Sequence, residues 1–259
     1  MIFVLLFLIG IVLGGIGGGG GLLVFPVLLF INHNTPQQAA LLSMSMVGIA
    51  AGVSLLSQKN KQNLTIDREI IPFVMGSLLF IYISKYGLSL LKEKWINVYG
   101  SDDVLNHLLM FLFVPVIAYS AWNTWPRSRH VTLTKVWNVR SGFFFGGITG
   151  TLAGLFGAGG GFIIVPVLHQ AAQFPLKKAI QTSLLIIAIN GVVGGVIPSL
   201  VANGFGWIEW LGIISTSIGA VLGGFWSSQI KPEMLKKSLS VFLMAVAIFI
   251  FVKEIYLMT

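Results

Sequence analysis

Long apolar runs alternate with short polar ones along this chain, and the runs set its architecture. Stretches almost free of charge fall at about residues 36–57, 66–84, 104–125, 178–201, 207–229 and 234–252. At 1.5 Å per residue most are long enough to cross a hydrocarbon core about 30 Å thick, so each predicts a membrane helix. Two further stretches read differently. From Met1 to Gln58 the only ionisable side chain is His33, and from Ser141 to Leu176 it is His169. Each of these opens with an apolar segment that is interrupted midway by glycines. The polar connections are short and leave no room for an appended soluble domain.

The two interrupted segments are copies of one another. Sliding the chain by 140 residues aligns GGIGGGGGLLVFPVL (14–28) with GLFGAGGGFIIVPVL (154–168), and eight of the fifteen positions are identical. The same offset pairs Ala39 with Ala179 and Ser43 with Ser183. Two homologous membrane repeats, 1–126 and 139–259, joined by a basic linker at 127–138, account for this pattern.

Glycine costs about 1 kcal/mol against alanine inside a helix, so the run Gly17–Gly21 should unwind one. Unwound backbone facing lipid leaves N–H and C=O groups unsatisfied, so it must be buried in protein or line a cavity. Broken helices at corresponding positions of two repeats point to a transporter binding site. Close helix packing is the other use of glycine in membranes, but it calls for spacing by four rather than consecutive residues. Gly15-x-Gly17-x-x-Gly20 formally matches a dinucleotide fingerprint, yet no strand or soluble βαβ unit surrounds it.

Leu22 and Phe162 are expected to open the second half-helix of each pair. Free N–H groups and the positive end of the helix dipole would then face the break. Two such N-termini near the midplane would hold a small anion without a buried Lys or Arg. The candidate substrate-binding set is therefore Gly17, Gly19, Gly20, Gly21 and Leu22 with Gly157, Gly159, Gly160, Gly161 and Phe162. Ser43, Thr182, Ser183 and Asn190 could complete the shell as neutral donors, and Ser45 lies nearby in sequence. A serine or threonine in a helix ordinarily bonds the preceding turn, so the equivalence of Ser43 and Ser183 is what singles those two out.

Composition narrows the function. Only 9% of residues are charged and 56% are hydrophobic, against about 25% charged in soluble proteins. Mean hydropathy is +0.91. A soluble enzyme, a disordered chain and a nucleic-acid binder are excluded as good readings. In a membrane protein the net charge of +8 belongs to loop orientation. The chain has no cysteine, which removes disulfides, thiolate metal sites and thiol nucleophiles. No acid lies deep in a span and the histidines are isolated, so the reading is not an enzyme and holds no metal site. His169 is the better candidate for a proton carrier, against an interfacial role. Asp67, Arg68, Glu69 and Glu209 read as interfacial anchors. Trp95, Trp122, Trp125, Trp207, Trp210 and Trp226 fall near span ends, where aromatic belts belong. Met1–Leu13 has the length of a signal h-region but no basic n-region, and reads as mature protein.

Charge also chooses between two threadings. If each broken segment crosses once, the sixteen Lys and Arg divide evenly between the two sides. If each re-enters as a hairpin, only Lys85, Lys92, Lys94 and Lys253 lie on the side of the termini, a strong positive-inside bias. Each half then crosses three times, the repeats are inverted, and both termini lie outside.

The duplicated G-x-G-G-G-[LF]-[LI]-[VI]-x-P module, followed by a helix bearing Ala and Ser or Thr, resembles the sulfite exporter TauE/SafE family over nearly the whole chain. The resemblance implies a secondary transporter, an exporter of sulfur-containing anions such as sulfite, thiosulfate or organosulfonates. It further implies a multi-pass protein of the bacterial inner membrane, with no prosthetic group. Ala158 replaces one glycine of the run, and Leu42 stands where the second half has Thr182, so the halves are expected to contribute unequally. An anion channel using the same glycines is the alternative, and a homodimer is left open.

Overall fold

The structure, a computed structural model, describes residues 1–17, 19–31, 34–57, 68–99, 103–125, 137–157, 160–202, 204–226, 237, 240–241 and 243–252. Among the described residues there is no strand, and the fold is all-α. The chain runs through α1 (Ile2–Ile16), a 3-10 turn (Gly19–Leu23), α2 (Val24–Phe30), α3 (Pro36–Ser57), α4 (Ile71–Tyr99) and α5 (Asp103–Thr124). It continues through α6 (Val139–Phe156), α7 (Gly161–Gln170), α8 (Leu176–Gly191), a π segment (Val192–Val196), α9 (Ile197–Ala202) and α10 (Trp207–Trp226). An apolar helix, α11, spans Leu243–Val252.

Among the described residues four helical segments are long and apolar enough to cross a membrane: Pro36–Ser57, Arg68–Leu90, Lys177–Ala202 and Trp207–Trp226. One outruns its expected limit. The sequence reading closes the second span at residue 84, just before Lys85, whereas α4 continues through Lys85 to Tyr99. The helix-favouring run of Leu and Lys residues carries it on, and a lysine stem lies readily along apolar surface.

Both broken segments break at the glycines. α1 ends at Gly17 with φ 79° and α6 ends at Gly157 with φ 65°, equivalent positions in a left-handed conformation that disfavours any Cβ. α7 follows Gly160, again left-handed at φ 70°. The first copy does not repeat this. Its glycines form the 3-10 turn, so Leu22 lies inside that turn and the helix opens at Val24. Three successive glycines without side chains leave the tighter turn free to form, and α2 is only seven residues long. In the second copy Phe162 is the second residue of α7.

After each break the chain doubles back along its own first helix. A Cβ on Gly20 would lie 2.7 Å from the Leu13 nitrogen and 2.8 Å from the Ile9 carbonyl oxygen. At the equivalent place a Cβ on Gly160 would lie 3.1 Å from the Thr149 carbonyl.

Spaced glycines do a second job. α1 packs on α10 and α6 on α4, each through small-xxx-small faces that let backbones touch. A Cβ on Gly14 would stand 1.9 Å from the Ala220 oxygen, and one on Gly219 2.1 Å from the Phe7 oxygen. On α6, Gly146 and Gly150 each meet a carbonyl of α4, Phe73 and Ser77, where a Cβ would be 2.2 Å away. α1 and α4 come from the first half of the chain, α6 and α10 from the second, so both interfaces join the halves. α3 and α8 also cross between halves, antiparallel: Gly52 faces Ala188, Gly48 meets Gly191, and Gly195 meets Ser45.

Side-chain caps and aromatics finish the frame. Asn138 and Ser141 form a capping box at the start of α6, and Thr35 with Gln38 does the same before α3. Phe25, Phe113 and Phe156 pack as one cluster, with centroid separations of 4.9, 6.1 and 4.6 Å. Trp122, Trp125, Trp207, Trp210 and Trp226 are exposed, as side chains at a lipid interface are. Trp137 instead is buried and donates its indole N–H to the Glu69 carbonyl at 2.9 Å.

Candidate functional site

Each glycine break meets a serine from the other half of the chain. Ser183 on α8 donates its hydroxyl to the Gly17 carbonyl at 2.5 Å and shares it with the Ile180 carbonyl at 2.8 Å. Ser43 on α3 donates to the Ala40 carbonyl at 3.1 Å, and its Oγ lies 2.1 Å from where a Cβ on Gly157 would stand. Both serines are fully buried. The pairs Gly17–Ser183 and Gly157–Ser43 thus use equivalent positions reciprocally.

The two pairs are staggered. Because α3 and α8 run antiparallel, Ser43 and Ser183 fall on opposite sides of the Gly48–Gly191 crossing, about 7 Å and about 12 Å from it at 1.5 Å per residue. The lengths of the first helices explain this. α1 has 15 residues and α6 has 18, so each is longer than the roughly 15 Å needed to reach the middle of the hydrocarbon core. Between the breaks, α7 packs against the 3-10 turn of the first copy. Gly20, Gly21, Leu22 and Gly161 are buried there. By helix geometry the amides of Gly161 and Phe162 have no carbonyl partner within α7, whereas the Ile163 and Ile164 amides bond the Gly160 oxygen at 3.0 and 3.1 Å. Gly19 belongs to the 3-10 turn, and Gly159 lies outside the described residues.

Asn190 sits at the crossing, fully buried. Its Oδ1 accepts from the Ser77 hydroxyl at 2.9 Å, while its Nδ2 has no hydrogen-bond partner. An orphaned amide in a dry interior is costly, so this donor is available to an acceptor. The equivalent of Asn190 is Ala50, and the equivalent of Ser77 is Ser217, whose buried hydroxyl is accordingly unpartnered. Thr182 is buried beside Ser183. Ser45 bonds the Leu41 carbonyl at 2.9 Å and faces Ser199 at 3.4 Å.

Other sequence candidates fall away from the breaks. His169 is exposed at the end of α7, with Nδ1 2.9 Å from the Phe174 carbonyl, which is a loop-edge position. Arg68 and Glu69 are exposed before α4, and His33 and Asp67 lie outside the described residues. Ser77 was not among the sequence candidates, although its i, i+4, i+8 alignment with Ile81 and Lys85 was available as a signal. Among the described residues no group of three His, Asp or Glu could hold a metal.

Comparison with known proteins bears on this arrangement. A family model described as sulfite exporter TauE/SafE matches residues 2–253. The chain is 27% identical to the "probable membrane transporter protein YunE" of Bacillus subtilis, covering 99% of this chain and 98% of that one. It is 29% identical to "probable membrane transporter protein MJ0441" of Methanocaldococcus jannaschii, over 84% and 80%. A "probable membrane transporter protein" of Xylella fastidiosa is 26% identical over 94% and 91%. No solved structure matches the chain significantly.

Proposed function

The chain belongs to the sulfite exporter TauE/SafE family of membrane transporters, and from that premise we propose that it is a secondary transporter exporting small sulfur-containing anions, sulfite or organosulfonates, across the bacterial inner membrane. The observation that carries this reading is the buried second break. There a left-handed Gly160 presents the N-terminus of α7 to the turn of the first break, with Ser43 beside Gly157 and an unpartnered Asn190 amide behind. Backbone N–H groups, a helix dipole and neutral donors suit an oxyanion.

The two copies contribute unequally in this reading. α2 has seven residues after a 3-10 turn and offers no regular N-terminus. The second copy therefore holds the anion, and the first supplies the wall it is held against. The recurrence of Gly17–Ser183 and Gly157–Ser43 supports inverted repeats built from re-entrant hairpins. Alternating access follows if the halves rock about the glycine crossing of α3 and α8, since breaks on opposite sides of that pivot would open in turn.

The test is flux of radiolabelled sulfite through purified protein in liposomes. A carrier gives uptake that saturates with sulfite and is driven by a gradient. Large unitary currents in a planar bilayer would instead establish the channel alternative.

A further inference from the structure

We propose that Lys85 is the charged anion-binding residue of the second break, and that it sets a preference for doubly charged oxyanions; this rests on the transport reading above. Lys85 stands alone. Among the described residues of the four apolar spans, it is the one charged side chain more than three residues from a span end. An ionisable residue in such a place is costly and marks a ligand pathway.

Position in the helix packing brings it to the break. α4 runs parallel to α6, with Phe73 at Gly146, Ser77 at Gly150, and Ile81 and Ser84 at Gly154. Continuing that register places residue 85 level with Gly157, where α6 ends and Ser43 meets the break. Met44, one residue from Ser43, touches Gly194 together with Ile81, so α3, α4 and the π segment converge on the same spot. The half-buried ammonium of Lys85 donates to the Gly194 carbonyl, within the π segment Val192–Val196. Irregular turns of this kind are frequent at functional sites, because they free a backbone group from the helix ladder. Among the described residues its partner is this neutral carbonyl, which does not compensate the positive charge, and an arriving dianion would draw the ammonium away from it.

The charge is present once. At the repeat offset Lys85 corresponds to Phe225, which is exposed. The first break thus has no equivalent cation, which matches its lack of a helix N-terminus. Lys85 therefore makes the second break the tight site and the first a neutral one.

The experiment measures concentration-dependent thiosulfate and methanesulfonate uptake by wild type, Lys85→Gln and Lys85→Arg in liposomes. Lys85→Gln is expected to raise the KM for thiosulfate about ten-fold and that for methanesulfonate much less, with Lys85→Arg restoring most of the loss. In parallel, amidination of Lys85 in the wild-type chain is followed by mass spectrometry with and without thiosulfate, which needs no variant to fold. Protection by thiosulfate is expected. Wild-type KM values in Lys85→Gln, or equal modification in both conditions, would overturn the role of Lys85 while leaving the transport reading intact. A lysine that only ties down the π segment would lower stability and affect both anions equally, which also overturns it. A wild-type protein that moves neither anion would overturn the parent reading and this inference with it.

Discussion

At Gly157 a single hydrogen in place of a methyl group decides whether the second break can form. The backbone there has φ 65°, and a Cβ would stand 2.0 Å from the Ala40 oxygen and 2.1 Å from Ser43 Oγ. Gly157→Ala is expected to cost about 2–4 kcal/mol, from a left-handed residue with a side chain plus overpacking. Gly87, in α4, has nothing within 4 Å of the same position. Gly87→Ala should be neutral or stabilise by up to about 1 kcal/mol. Thermal unfolding in detergent separates the two, and equal melting temperatures would contradict the assignment. Ser183→Ala, which strips the Gly17 carbonyl of its donor, should cost about 1–3 kcal/mol by the same assay. The break itself was legible, because consecutive glycines have no helical use. That Gly20 and Gly160 would differ was not, since identical residues were driven to different conformations by what flanks them.

Elements are held together by glycines of another kind. The sequence reading weighed small-xxx-small packing only for the runs and set it aside there. The structure places that packing on the spaced residues, Gly10 and Gly14 against α10 and Gly142 through Gly154 against α4. Their spacing by four was in plain view, but the partner helix of each was not, because the partners lie in the other half. Gly219→Leu is expected to reduce the yield of folded, detergent-stable protein severely, because its side chain would meet the Phe7 carbonyl and the Gly10 backbone. A size-exclusion profile unchanged from wild type would contradict it. The length of α4 was misjudged for a physical reason: a charge was read as the end of a span, although a lysine stem can remain inside one.

At the scale of the whole molecule, hairpins and single crossings predict different sidedness. The chain has no cysteine, so one introduced thiol is the only label. With hairpins, Gln62→Cys and Ser128→Cys should react from the side opposite Thr259→Cys, and Ser101→Cys from the same side as Thr259→Cys. With single crossings, Gln62, Ser128 and Thr259 would share a side and Ser101 would be opposite. All-helical membrane architecture was legible from hydropathy alone, as was the family from its duplicated module. The stagger of the two breaks was not, because it depends on the antiparallel crossing of α3 and α8, which no local pattern encodes.

The most direct measurement compares thermal shift and liposome uptake across sulfite, sulfoacetate, thiosulfate, sulfate and chloride, for wild type and for Gly20→Leu and Gly160→Leu. A sulfur anion is predicted to stabilise and be carried by wild type. Folded Gly160→Leu should lose both responses, and Gly20→Leu should lose transport as the wall of the site shifts. A wild-type protein indifferent to every sulfur anion, or normal transport by both variants, would contradict an anion site at the glycine breaks.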